Sequence, residues 1–165
     1  MEEEIANQME DLPRFASQLE KQRFPHVAPS ELVFTGSGDS YAAALFAQEL
    51  SDGVALASDP YELSLNPDRA RGRHVVLVSV SGRTKANIQL AQKLKRVAKK
   101  RIVITGNPSS PLARVCDEKI VLQYTTAGRL TSGTVSFTTS LLACACLLRK
   151  TSAEAQHAAS NEEGL

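Results

Sequence analysis

One stretch constrains the fold of this chain more than any other. His74-Val-Val-Leu-Val-Ser-Val80 is followed at once by Ser-Gly-Arg-Thr84 and then by a helical pattern. Successive side chains of a strand point to opposite faces. A run that stays apolar from Val75 to Val78 therefore needs cover on both sides, which is the setting of a central strand in a parallel sheet flanked by helices. The helical pattern that follows, Thr84 to Lys100, carries Ile88, Ala91, Leu94, Val97 and Ala98 on one face, an amphipathic stripe suited to covering such a sheet.

The same grammar recurs along the chain. Glu31-Leu-Val-Phe-Thr35, Val54 to Ala57, Arg101-Ile-Val-Ile-Thr105 and Lys119-Ile-Val-Leu-Gln123 read as strands. Between them, Asp39 to Leu50 reads as a helix, Asp59-Pro60 opens a helical turn, and Pro111 to Cys116 is a short helix. Thr134 to Lys150 is a final helix, apolar almost all round and so buried. Five strands alternating with helices predict an α/β fold: a three-layer, doubly wound, five-stranded parallel sheet with right-handed crossovers. Ahead of it, residues 1–30 form a helical extension, where Ile5, Met9, Leu12, Phe15 and Leu19 recur at spacings of three and four. Pro13 interrupts that pattern and predicts a restart capped by Asp11. Residues 31–150 hold the α/β domain, and 151–165 read as a polar tail or linker.

Composition narrows the partners. A chain of 165 residues fits one domain, and its net charge of +1 shows none of the basic excess of a nucleic-acid binder. The cluster from Lys93 to Arg101 reads as a solvated helix face. No apolar run is long enough for a membrane span, and the Met-Glu-Glu-Glu start has the wrong charge for a secretory signal. Three cysteines without a Cys-x-x-Cys predict no disulfide framework and a cytoplasmic setting. His26, His74 and His157 have no metal-ligand spacing, so no metal is expected, and no cofactor either.

Ligands of doubly wound sheets bind beyond the carboxyl ends of the strands, where the strand order reverses. Two small-residue loops fall at that edge, Thr35-Gly-Ser-Gly-Asp-Ser-Tyr41 and Ser79-Val-Ser-Gly-Arg-Thr84. Each leads into a helix N-terminus, where free backbone N–H groups and the helix dipole attract anions. The hydroxyls of Ser40, Ser79, Ser81 and Thr84 are placed to donate to phosphate oxygens, and Gly38 and Gly82 permit close backbone approach. Serine, threonine and glycine at such turns also serve as plain helix caps. Ser79, inside an apolar run, is a poor choice for a cap, and two such loops on one edge favour an anion site. Gly36-x-Gly38 with Asp59 about 20 residues on also suggests a dinucleotide fingerprint, but Tyr41 stands where that fingerprint needs a small residue, and the second loop is left without a use.

Gly38-Asp-Ser-Tyr41, Ser79-Val-Ser-Gly-Arg-Thr84, Thr126-Ala-Gly128 and Phe137-Thr-Thr139 together resemble the sugar isomerase (SIS) domain. The likeness is nearest to the first such domain of glutamine–fructose-6-phosphate aminotransferase and of the archaeal phosphoglucose/phosphomannose isomerase-like proteins. The resemblance implies a flavodoxin-like strand order and a phosphosugar ligand. It places phosphate-gripping positions at Ser40, Ser79, Ser81 and Thr84, and sugar contacts at Thr131 and Ser132. It further implies a homodimer or tetramer, or a second SIS domain closing the pocket. Aldose–ketose isomerisation needs a base. The best acid here is Glu62, after the second strand, although a solvent-facing helix charge explains it as well; His74 begins its strand, at the far end from the site. The expected function is a sugar-phosphate isomerase or one half of one, the alternative a phosphosugar-sensing module without chemistry.

Overall fold

The computed structural model describes residues 2–22, 24, 27–125 and 133–162, with side chains described from Ile5 to Lys150 within those ranges. The strands are β1 (Leu32–Thr35), β2 (Leu56–Ser58), β3 (His74–Val78), β4 (Lys100–Thr105) and β5 (Glu118–Val121). They form one parallel sheet in the order β2-β1-β3-β4-β5. The helices are α1 (Glu2–Lys21), α2 (Asp39–Leu50), α3 (Pro60–Leu65), α4 (Lys85–Lys93), α5 (Pro111–Val115) and α6 (Thr134–Glu162). This is the doubly wound, flavodoxin-like order, with its switch point between β1 and β3.

All five residues of β3 are buried, and they alternate between two cores as the pleat requires. Val76 and Val78 join Phe34, Ile102 and Ile104 on the face covered by α1, α2 and α6. Val75 and Leu77 join Val33 and Val103 on the face covered by α3, α4 and α5. Ala43, Ala44 and Ala47 of α2 are fully buried; their small size lets that helix approach both the sheet and α6. Each buried Val, Leu, Ile or Phe contributes roughly 1.5–3 kcal/mol, so the two cores hold the carboxyl edge as one rigid rim.

Three elements depart from the sequence reading. α1 runs unbroken through Pro13, although proline there removes a hydrogen bond. Phe15 and Leu19, both 1% exposed, hold the helix against the core. Asp11 does not cap a restart: it is 2% exposed, pairs with Arg14, and accepts from the backbone N–H and the hydroxyl of Thr125 at 2.6 and 3.1 Å. α4 ends at Lys93 and a 3-10 turn, Leu94–Arg96, leads towards β4. α6 continues past Lys150 to Glu162. The alanine-rich composition of that segment favours helix, whereas its polarity marks only the end of the buried stretch.

Candidate functional site

At the carboxyl edge, between the ends of β1 and β3, lies a cavity of about 280 Å³, near the lower end of small-molecule sites at roughly 300 Å³. Ser40, Ser79, Ser81 and Thr84, four of the residues expected from sequence, line it together. Gly38 and Gly82 shape its two loops. Gly38 holds φ +60°, a left-handed conformation that favours glycine, and turns the chain from β1 into α2. Gly82 has φ +62°, and a Cβ there would sit 2.0 Å from Ser110 Oγ, so only glycine lets this loop lie against the start of α5.

The second loop is held by its backbone. The Ser79 N–H donates to the Ile104 carbonyl at 2.9 Å, the Gly82 N–H to the Ser79 carbonyl at 3.1 Å, and the Leu112 N–H to the Gly82 carbonyl at 3.1 Å. The Thr105 hydroxyl donates to the Val80 carbonyl at 3.1 Å. Because the backbone carries this load, the side-chain hydroxyls are left for a ligand. Ser79 is 2% exposed, lines the cavity, and its hydroxyl has no hydrogen bond to any described residue. Ser81 Oγ accepts from the Arg83 N–H at 3.3 Å, and its own proton remains free to donate.

The helix starts facing the cavity carry no side-chain cap. Gly38 at the head of α2 and Thr84 at the head of α4 make no capping hydrogen bond. The first N–H groups of a helix have no intrahelical partner, so both starts present open donors and the positive end of a dipole to the same space. The capping explanation of these serines and threonines therefore fails where it can be checked.

Other lining residues come from outside the predicted set: Ser37, Asp39, Ser136, Phe137 and Ser140, with Val80 between the two loop serines. Ser136 and Ser140 share one face of α6 at a spacing of four, a readable pattern hidden inside a helix that reads simply as buried. Their hydroxyls are spent on the Gly133 and Ser136 carbonyls, each at 2.7 Å. Asp39 is the one ionisable side chain among the described residues that line the cavity. Glu62 is exposed on α3 and is not part of the lining, because α3 follows the edge strand β2, away from the switch point. Thr131 and Ser132 lie outside the described residues. Among the described residues, no group of three His, Cys, Asp or Glu side chains is placed to hold a metal ion. No helix among them is long and apolar enough to cross a membrane.

A family model described as the SIS domain matches residues 28–150, well over half of the 165 residues. The chain belongs to the SIS domain family. Solved structures agree on the fold. The c3406 protein of E. coli CFT073, solved as a phosphosugar complex, is 20% identical with a TM-score of 0.70, over 94% of this chain and 87% of that one. Glucosamine-6-phosphate deaminase from Thermotoga maritima is 24% identical with a TM-score of 0.70, over 90% of this chain and 47% of that one. The C-terminal domain of glucosamine-fructose-6-phosphate aminotransferase from Francisella tularensis is 21% identical with a TM-score of 0.66, over 97% of this chain and 51% of that one. A search of curated protein sequences finds no significant match. In this SIS domain the cavity sits at the switch point of the sheet, where the general rule for doubly wound folds expects a ligand.

Proposed function

We propose that this SIS domain binds a phosphorylated sugar in the cytoplasm, with the phosphate seated between the loops Gly36–Ser40 and Ser79–Thr84. The carrying observation is the convergence of two uncapped helix starts on one cavity whose floor holds the unpartnered hydroxyl of Ser79. Phosphate oxygens would accept from those N–H groups and from the Ser40, Ser79, Ser81 and Thr84 hydroxyls. Hydrogen bonds to a charged group are the strong ones, about 1.5–3 kcal/mol each. The phosphosugar complex of the E. coli neighbour supports this class of ligand.

The activity we favour is aldose–ketose isomerisation through an enediol, carried out by this domain together with a second one. Isomerisation needs a general base, and the described lining supplies only Asp39. Two observations point to a second domain or subunit. Two of the neighbours are about twice as long as this chain. Apolar side chains also stand exposed on the α1–α2 side, with Met9 83% and Leu50 51% exposed, beside a groove of about 440 Å³ lined by Leu12, Phe46, Leu141 and Leu142 among others. A homodimer or tetramer would cover this face. The scarcity of ionisable groups in the lining favours one alternative, a phosphosugar sensor without turnover.

Thermal denaturation with a panel of sugar phosphates tests the binding. A ligand at 100 times its dissociation constant adds about 2.7 kcal/mol, and this stabilisation should be lost in Ser79→Ala/Ser81→Ala. Absence of a shift with every member of the panel overturns the reading. Proton exchange at C2 of a bound ketose phosphate separates enzyme from sensor.

A further inference from the structure

Asp39 is the first residue of α2, at the mouth of the phosphate cavity. It is exposed and makes no ion pair or side-chain hydrogen bond with any described residue. No described lysine or arginine lines the cavity to offset it; Arg83 and Lys85 flank the second loop but stand outside the lining. A site built to hold a phosphate thus carries one uncompensated negative charge of its own. For phosphate binding alone that charge is a liability, since like charges within a few ångströms repel.

We propose that Asp39 makes this site select by the charge on the sugar portion of its ligand, favouring phosphorylated amino sugars, whose ammonium answers the carboxylate, and disfavouring phosphorylated sugar acids. The proposal rests on the phosphosugar reading of the cavity and names the substrate class within it. The hydroxyls and N–H groups of the two loops hold the phosphate whatever sugar it carries, because they touch only the shared group. Asp39 responds to what differs. An ammonium placed beside it gains an ion pair, a neutral hydroxyl gains at most an ordinary hydrogen bond, and a carboxylate is repelled. Because Asp39 is solvent-exposed, each step is modest, about threefold in affinity, and it shrinks as salt is raised.

The test is calorimetric titration of the full chain with glucosamine 6-phosphate, glucose 6-phosphate and 6-phosphogluconate at low salt. The expected ranking of affinity is in that order, spread about tenfold from first to last. Asp39→Asn should compress the spread to near unity by weakening the amino sugar and tightening the sugar acid, so that the two ligands move in opposite directions. Asp39→Glu should restore the order. A merely structural role at the start of α2 would shift all three affinities together, and circular dichroism melts of the variants separate that outcome. Equal affinities in the native chain, or a spread that survives Asp39→Asn, would overturn the proposal and leave the phosphosugar reading standing. Binding of none of the three would overturn both.

Discussion

Four helices begin at the carboxyl edge of this sheet, and they begin in two different ways. α3 and α5 close their own starts: Asp59 accepts from the Tyr61 N–H at 2.7 Å, and Ser110 accepts from the Ala113 N–H at 3.2 Å. α2 and α4 do not. The open pair flanks the switch point between β1 and β3, and the closed pair lies outboard of it. The same residue type plays both parts, since Ser110 spends its oxygen on its own helix while Ser79 keeps its hydroxyl unspent. The lesson is that a Ser- or Thr-bearing strand-to-helix turn marks a ligand site only where the fold leaves it unsatisfied. Sequence alone sees the turn and not the satisfaction.

The two kinds of start meet at Gly82, and the largest expected effect lies there. A Cβ at this position collides with Ser110 Oγ and Cβ, at 2.0 and 2.5 Å, in a backbone conformation that already disfavours side chains. Gly82→Ala should therefore damage an open loop and a closed cap together, costing about 3 kcal/mol of stability from strain and the lost cap and weakening phosphosugar binding as well. A variant with native melting behaviour would show that the loop yields without disturbing α5. Next in size is Ser79→Ala/Ser81→Ala. It should lower sugar-phosphate affinity about hundredfold, equivalent to about 2.7 kcal/mol, while the melting temperature without ligand stays near native, because neither hydroxyl supports the fold. A large loss of stability in the absence of ligand would mean that these serines belong with the caps after all. Ser110→Ala gives the mirror result: about 1 kcal/mol of stability lost with the cap, and ligand affinity unchanged in titration.

Much of this arrangement was legible in residue patterns. The two-sided burial of β3 followed from an unbroken apolar run, and the strand order's consequence, a site beside Ser79, followed from the topology rule. Glu62 shows where the rule misleads, for every strand ends at the same edge and only those at the switch point reach the cavity. Asp39, Ser136 and Ser140 escaped notice for a different reason. Asp39 reads as a helix-start acid, and α6 reads as a buried helix whose angle to the sheet no local pattern reveals. Asp11 is the clearest limit: its partner Thr125 is 114 residues away, and nothing near Pro13 announces it.

The smallest effect comes from the opposite edge and sharpens what an unsatisfied group means. His74, at the start of β3, is 3% exposed, and neither ring nitrogen has a hydrogen-bond partner. It resembles Ser79 in lacking a partner and differs in lining no ligand cavity. Burial foremost, and then the Lys99 charge, push its pKa below the usual 6.5; Lys100 acts in the same direction, while Glu31 and Glu118 oppose. A base held below its unfolded pKa binds fewer protons in the folded state than in the unfolded one. Stability therefore rises with pH between the folded value and about 6.5, and acidifying through that window costs stability until the folded ring itself takes up a proton. Denaturant titrations of the native chain from pH 7.5 to 5 should show this decline, and His74→Leu should flatten it without changing sugar-phosphate affinity. A slope that persists in His74→Leu would assign the proton uptake elsewhere. A flattened slope would show that an unpartnered polar group away from a cavity registers only in folding, whereas one that opens onto a cavity registers in binding.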